Sequence, residues 1–150
     1  MEISIRSAIE TDLLSIYHFI SELENERFSI HSFTEYYLQN ISNSHFIYLI
    51  AENTEKEIIG YISCHGQILL HHCGWVFEIQ ELYVKKEFRG TGVGKELVTK
   101  LFSLVELRDY KSFEVTANNF RMSTHLFYLQ SGFIETHKKF TLLSAKQENR

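Results

Sequence analysis

The chain has 150 residues, a formal net charge of −4 at pH 7 and 44% hydrophobic residues. This length suits one ordinary domain with one core, and the negative charge argues against a general nucleic-acid surface, which needs a basic excess. Two cysteines are too few for a disulfide framework and no apolar run is long enough to span a membrane, so we expect a cytoplasmic protein without nucleic-acid or membrane partners.

Hydrophobic periodicity divides the chain into short strands and amphipathic helices. Runs rich in β-branched and aromatic residues indicate strands, whereas apolar residues spaced three and four apart indicate helices. In chain order we predict strand 2–6, helix 13–23, helix 33–41, strand 45–52, strand 57–70, strand 75–84, helix 93–108, strand 112–117, helix 120–130 and strand 133–143. Thr11 is the expected N-cap of the first helix, and Ser32 with Glu35 forms a capping-box pattern at the second.

The predicted order of elements is β-α-α-β-β-β-α-β-α-β. The polar turn NTEKE joins two of the central strands as a hairpin. We therefore predict an α/β chain, more closely an α+β fold, with a mixed and mostly antiparallel central sheet flanked by helices. Because no proline, linker or internal repeat marks a boundary, we expect residues 1–150 to form a single domain.

The segment EFRGTGVGKEL, residues 87–97, places three glycines in five positions directly before a predicted helix. A dinucleotide-binding loop needs a different glycine spacing, and a P-loop needs Ser or Thr where Glu96 stands. A simple turn needs only one glycine. The remaining interpretation is a phosphate cradle, in which bare N–H groups at a helix N-terminus bind an anion, with added charge from Arg89 and Lys95.

Two motifs in this sequence resemble the GNAT family of acetyltransferases. Arg89-x-x-Gly92-x-Gly94 is similar to the family's R/Q-x-x-G-x-G/A loop, and the run from Leu126 to Phe133 is similar to a helix end of the same family. The resemblance covers nearly the whole chain and implies a GNAT-like fold that uses acetyl-CoA as cosubstrate. It implies that the coenzyme binds at Leu82, Tyr83, Val84, Arg89, Gly90, Thr91, Gly92, Val93, Gly94 and Lys95.

The reaction that this resemblance implies, acetyl transfer to a primary amine, needs a base, because a free amine has a pKa of about 10 and is mostly protonated at pH 7. Unless a bulge intervenes, alternation along strand 75–84 places Glu81 on one face with Phe77 and Ile79, where burial raises the pKa of a carboxylate. Glu78 then lies on the other face. We favour Glu81 as the base and place Glu78 with the substrate-binding residues, although either carboxylate stays open as the base.

The family resemblance also implies roles for residues in the last third of the chain. Tyr128 resembles the tyrosine that protonates the leaving thiolate, and Asn118 is expected to bind the pantetheine arm. Arg121 is expected at a coenzyme phosphate, although a solvated helix arginine explains it equally well. The backbone N–H groups near Tyr83 and Val84 are the expected donors to the thioester oxygen.

A closer resemblance is to the aminoalkylphosphonate N-acetyltransferases, which acetylate small aminophosphonates with the help of a divalent metal. It rests on the run 71–82 and on counterparts of the group's pattern at His31, Phe33, His65, Gln67, Asn118, Arg121, His125 and Tyr128. The resemblance implies an amine site near Phe28 and His31, with Arg27 available to pair with an anionic group.

The same resemblance leaves the metal and the acceptor open. A divalent metal is a hypothesis for the cluster formed by His65, His71, His72 and Glu78, but adjacent histidines are not a standard ligand spacing and the ligands stay unassigned. Arg27, Ile68 and Leu69 depart from the group's pattern. A polyamine, an amino sugar, an aminoglycoside or a protein amine is an alternative acceptor, and a non-catalytic acyl-CoA sensor is an alternative function. A homodimer is implied by the family alone.

Overall fold

The computed structural model describes residues 1–145, which divide into two compact units, Met1–Val115 and a second unit that begins at Thr116. The elements of the first unit are β1 (Ile3–Ser7), α1 (Leu13–Glu24), α2 (Ile30–Ile41), β2 (Phe46–Asn53), β3 (Ile58–Leu69), β4 (Gly74–Val84), α3 (Val93–Glu106) and β5 (Ser112–Val115). The second unit contains α4 (Met122–Gln130). No helix within residues 1–145 is both long and apolar enough to cross a membrane.

The strands of the described residues form one five-stranded sheet in the order β1-β2-β3-β4-β5. Neighbouring strands are antiparallel from β1 to β4, whereas β4 and β5 run parallel. The parallel step follows from the connection, because α3 carries the chain from the end of β4 back to the start of β5. The predicted mixed, mostly antiparallel sheet flanked by helices is confirmed, while the single domain over residues 1–150 stays a prediction.

Helices cover both faces of this sheet. On one face, which we call the α1/α2 face, helices α1 and α2 pack on a largely aromatic cluster. The buried members of the cluster are Ile16, Phe19, Tyr37, Tyr48, Ile50, Tyr61 and Tyr83. On the opposite α3 face, a Cβ at Gly60 would lie 3.1 Å from the side chains of Val93 and Leu97, so the missing side chain lets α3 approach the sheet closely.

Both predicted helix caps differ from the observed ones, the first by one residue and the second by three. Asp12, not Thr11, is the N-cap of α1, and it is also the last residue of a short 3₁₀ turn, Glu10–Asp12. Helix α2 begins directly after Ser29, whose hydroxyl oxygen accepts a hydrogen bond from the Ser32 N–H at 3.3 Å. The capping box expected between Ser32 and Glu35 is therefore wrong, because an earlier serine satisfies the free N–H groups of the first turn.

The predicted final strand over 133–143 is wrong: within the described residues, positions 133–144 form neither helix nor strand. A strand in a sheet buries alternate side chains, but the polar run over 135–139 interrupts this segment. Ile134, Phe140 and Leu142 are 80%, 91% and 94% exposed. The neighbouring boundaries also contract, because β5 ends at Val115 and α4 starts at Met122.

One charged network ties the first strand to the first helix. Arg6 donates to both carboxylate oxygens of Asp12, at 2.8 and 3.0 Å, and to Glu52 on β2 at 2.9 Å. Asp12 and Glu52 are buried. Burial by itself raises the pKa of Asp12, but the hydrogen bonds and charge of Arg6, together with the Ile9 N–H, outweigh it and hold that pKa below its ordinary value.

We expect Asp12→Asn to lower the free energy of unfolding by about 1–3 kcal/mol at pH 7, because it removes a charged partner of Arg6. Since the folded-state pKa of Asp12 is lowered, this contribution is present above the unfolded pKa of about 4 and is lost as the pH falls through the folded-state value. Urea unfolding between pH 7 and pH 3 measures both effects. Asp109→Asn, at an exposed position, is the control, and equal stability of the two variants at pH 7 would contradict this account.

Candidate active site

A β-bulge interrupts the middle of β4. Ser63 on β3 lies opposite Glu81, and the next residue, Cys64, lies opposite Ile79, so that Gln80 has no partner on β3. An extra residue of this kind bends the strand and reverses the alternation of side chains beyond it. The bulge therefore decides which side chains of β4 share a face.

The bulge brings the two glutamates of β4 onto the same face. Directly opposed residues share a face, and Glu81 is opposite Ser63 while Glu78 is opposite His65. Ser63 and His65 are two positions apart on β3 and point the same way. Both glutamates thus lie on the α1/α2 face, whereas the uninterrupted alternation considered from the sequence would separate them and group Glu81 with Phe77 and Ile79.

Glu81 is held between two buried polar residues of β3. The Tyr61 hydroxyl donates to the Glu81 carboxylate at 3.3 Å, and the Glu81 N–H donates to Ser63 Oγ at 3.1 Å. Burial raises the pKa of Glu81, Ser63 and Tyr61 lower it in part, and the nearby charge of Glu24 raises it again. The net result is a carboxylate that titrates above its ordinary range, as a general base does.

A second hydrogen-bonded group lies on the same face. The Asn40 side chain of α2 donates to the Tyr48 hydroxyl at 2.9 Å, and that hydroxyl lies 2.8 Å from His65 Nε2. Phe46 stacks on the His65 ring with 3.7 Å between the ring centres. Burial lowers the pKa of His65, so the imidazole is neutral at pH 7.

Glu78 belongs to a row of titratable residues that crosses three strands. His65 lies opposite it on β3 and Glu114 on β5, and the His72 ring approaches the Glu114 carboxylate to 3.9 Å. His71 and His72 occupy the 3₁₀ turn before β4. Among residues 1–145, however, no group of three or more His, Cys, Asp or Glu side chains is arranged to hold a metal ion. These residues do not fit a preformed metal site.

The glycine loop joins β4 to α3. Gly90 and Gly92 have φ angles of 76° and 96°, in the left-handed region that favours glycine, whereas Gly94 has no positive φ. A Cβ at Gly90 or Gly92 would meet no described atom within 4 Å. These two glycines therefore shape the backbone and leave open space beside the N-terminus of α3, where N–H groups and the helix dipole favour an anion.

Arg89 is anchored at the base of this loop. Its Nε donates to the Val84 carbonyl at 2.8 Å, and its guanidinium lies 5.5 Å from the centre of the Tyr83 ring. The Tyr83 hydroxyl donates to Glu22 of α1 at 2.6 Å, and the Tyr83 ring stacks on Phe19. Burial raises the pKa of Tyr83 to about 12, so this hydroxyl stays a donor at neutral pH. Tyr83 thus connects α1 with the loop.

The other candidate site residues of the first unit lie in the glycine loop and near the α1–α2 connection. The Thr91 hydroxyl donates to the Phe88 carbonyl, and Lys95 is exposed in the first turn of α3.

In the α1–α2 connection, Phe28 is half-buried, and its carbonyl accepts a hydrogen bond from the Tyr17 hydroxyl at 2.6 Å. Arg27 is exposed in this connection, and His31 is exposed in the first turn of α2. Since the charge of Glu24 reaches Glu81, the end of α1 that leads into this connection lies near the carboxylate.

In the second unit, Tyr128 is buried on α4 in ring contact with Phe127 and Phe133. Burial raises the pKa of Tyr128 to about 12, which keeps its hydroxyl protonated at neutral pH. Asn118 orders the chain before α4, because its side-chain oxygen accepts the Phe120 N–H at 2.9 Å. Arg121 is exposed at the start of this helix.

Sequence reasoning did not find the polar residues around Glu81 and Glu78. Tyr61 and Ser63 share one face of β3 by simple alternation, which is the signal that the sequence contained. Tyr48 and Glu114 lie on other strands, and only the register of the sheet brings them to the same face. No local pattern in the sequence reports that register.

The sequence matches a family model and a relative over most of its length. The sequence model described as the acetyltransferase (GNAT) family matches residues 13–133. The chain is 31% identical over 137 residues to an aminoalkylphosphonate N-acetyltransferase of Salmonella typhimurium, covering 91% of this chain and 88% of that protein.

Solved structures show the same fold. A transcriptional regulator from Bacillus halodurans C-125 has a TM-score of 0.87 at 22% identity, covering 95% of this chain and 100% of that one. A glucosamine-6-phosphate N-acetyltransferase from Arabidopsis thaliana has a TM-score of 0.80 at 16% identity, covering 95% of this chain and 99% of that one.

We expect Gly90→Ala to lower the free energy of unfolding by about 1–2 kcal/mol, because alanine is strained at this positive φ although the space beside it is open. Gly90→Asn is the matched variant, since asparagine adopts the left-handed region more readily. Urea unfolding of both proteins measures the difference. If the two substitutions lower the free energy of unfolding equally, position 90 does not need glycine for its backbone conformation.

Proposed function

The chain belongs to the GNAT family of acetyltransferases, and we propose that it moves the acetyl group of acetyl-CoA to the primary amine of a small aminophosphonate. Family membership makes the protein an acyltransferase that uses acetyl-CoA. The acceptor and the roles of individual residues are the proposal. The observation that carries it is the half-buried Glu81 with its raised pKa, on the strand that leads into the glycine loop.

Glu81 serves as the base in this proposal. It accepts a proton from the acceptor's ammonium group, directly or through one water, and the neutral nitrogen attacks the thioester carbonyl carbon. The backbone N–H groups near Tyr83 and Val84 donate to the carbonyl oxygen as negative charge develops. The carbon–sulfur bond then breaks, the nitrogen loses its second proton to solvent, and the leaving thiolate takes a proton from Tyr128, a role that the family resemblance implies. A pKa of about 12 supports that last role, since it keeps Tyr128 protonated beforehand.

The coenzyme phosphates bind the glycine loop in this proposal. Open space beside Gly90 and Gly92 supports it, together with the N–H groups of Val93 and the residues after it at the start of α3. The anchored Arg89 adds positive charge. The remaining coenzyme contacts are Leu82, Thr91, Gly94, Lys95, Asn118 and Arg121, which rest on the family resemblance.

An anionic acceptor is supported by the relative from Salmonella typhimurium, whose name gives aminoalkylphosphonates as its acceptor. Arg27 in the α1–α2 connection, beside Phe28, offers positive charge for a phosphonate, and His31 in the first turn of α2 offers a ring N–H. One observation favours a polyamine as the second candidate. Glu78 and Glu114 are neighbours on the α1/α2 face, and a negative surface attracts a polycation.

In this proposal a divalent metal would bind only when the substrate is also bound. Among the described residues no three-ligand group exists, so a cation would be shared between phosphonate oxygens and a carboxylate such as Glu78. The cytoplasmic location expected from the composition stays a prediction, as does the homodimer that the family resemblance implies.

We expect Glu81→Gln to lower kcat about 10²- to 10⁴-fold, because glutamine cannot accept the proton. In the wild type, kcat/KM should fall as the pH drops through the raised pKa of Glu81, and the variant should lose this acidic limb. Glu78→Gln is the matched control. If that variant loses more activity and the acidic limb as well, Glu78 is the base instead.

Thiol release from acetyl-CoA with a panel of amines tests the acceptor. The panel comprises aminomethylphosphonate, 1-aminoethylphosphonate, 2-aminoethylphosphonate, spermidine, glucosamine 6-phosphate and an aminoglycoside, each with a divalent metal and with a chelator. We expect turnover of the aminophosphonates, and a metal that acts through the substrate should change KM for those amines only. Turnover confined to spermidine would instead select the polyamine. Coenzyme binding without turnover of any amine would favour a sensor.

A further inference from the structure

The hydrogen bonds around Tyr48 determine which nitrogen of His65 carries its proton. The Tyr48 oxygen accepts a hydrogen bond from Asn40, and its hydroxyl lies 2.8 Å from His65 Nε2. Tyr48 is only 9% exposed, and its hydroxyl hydrogen has no other acceptor among residues 1–145. An unpaired buried donor costs free energy, so the hydroxyl donates to Nε2. In the neutral ring, the proton must then be on Nδ1.

The Nδ1–H group of His65 is left as an available donor. Nδ1 lies on the other edge of the ring from Tyr48, and within the described part of the chain it has no hydrogen-bond partner. The ring is held by the stacked Phe46. Its face of the sheet also carries Glu81 and Glu78, and Glu78 is its direct neighbour on β4. A fixed, uncharged donor therefore stands among carboxylates, which can only accept.

We propose that His65 is a specificity-determining residue whose Nδ1–H donates a hydrogen bond to an oxygen of the acceptor's anionic group. The inference rests on the proposed function, because it assumes an amine that carries such an oxygen. It distinguishes oxyanion-bearing amines from polyamines, which have no oxygen to accept the bond. Under this inference Asn40 and Tyr48 are positioning residues, because they fix the tautomer of His65 without contacting the acceptor. Such a donor holds no metal through Nδ1, because that lone pair is protonated.

Two substitutions of His65 separate the donor from the rest of the side chain. In His65→Asn the amide nitrogen stands near the place of Nδ1, whereas in His65→Gln the amide reaches towards Tyr48 and the Nδ1 donor is lost. Both variants lose the stack on Phe46 equally, so each is the control for the other. We expect the dissociation constant of aminomethylphosphonate, measured calorimetrically with coenzyme A bound, to rise about 10- to 100-fold in His65→Gln and clearly less in His65→Asn.

Two further readouts do not depend on turnover. In ¹⁵N NMR of the wild type, His65 should show a pyrrole-type Nδ1 and a pyridine-type Nε2, with its signals assigned by their loss in His65→Gln. Methylamine, which lacks an oxyanion, should bind both variants alike. An Nε2–H tautomer, or equal weakening of aminomethylphosphonate in both variants, would overturn the inference. Absence of wild-type turnover with aminomethylphosphonate, by contrast, refutes the proposed acceptor and leaves the tautomer and binding results to decide the role of His65.

Tyr48→Phe provides the second test if the His65 variants fold poorly. It removes the hydroxyl that donates to Nε2 and leaves His65 in place, so both tautomers become populated. We expect weaker aminomethylphosphonate binding and a mixed ¹⁵N signature, with coenzyme affinity unchanged. A pure Nδ1–H signature with unchanged affinity in this variant would show that Tyr48 does not fix the ring.

Discussion

The extra residue at Gln80 is the constraint on which the candidate site depends. A regular β4 would place Glu81 and Glu78 on opposite faces, one under α3 and the other under α1 and α2. The bulge reverses the alternation, and both carboxylates then stand on the α1/α2 face beside Tyr61, Ser63 and His65. The site is therefore a property of how β3 and β4 pair, more than of any single side chain.

Hydrogen bonds pair the buried hydroxyls of Tyr48 and Tyr61 on this face. Tyr61 donates to Glu81, Glu81 donates its N–H to Ser63, and Asn40, Tyr48 and His65 form a chain with one direction. Such networks are costly when one member lacks a partner. The same burial that makes them costly raises the pKa of Glu81 and lowers that of His65, so the fold places a carboxylate with a raised pKa on the same face as a neutral imidazole.

Strand β4 also links this carboxylate cluster to the glycine loop. Two residues beyond Glu81, Tyr83 reaches α1 through Glu22 and supports Arg89 with its ring. A short stretch of β4 thus carries the candidate base Glu81 and also Tyr83, which contacts both α1 and Arg89 of the glycine loop. Because these groups lie on a rigid strand, their separations are set by the backbone, as a reaction between two bound substrates requires.

The sequence by itself determined the elements and the family. Apolar spacing located α1 to α3 and the strands of the sheet, and the Arg89-x-x-Gly92-x-Gly94 loop with the run to Phe133 identified the GNAT resemblance. These are local signals, carried by neighbours along the chain. The caps at Asp12 and Ser29, the absent strand over 133–143 and the shared face of Glu78 and Glu81 came only from the tertiary structure. Register, bulges and the direction of a hydrogen-bond chain depend on pairing between distant residues, which no local periodicity encodes.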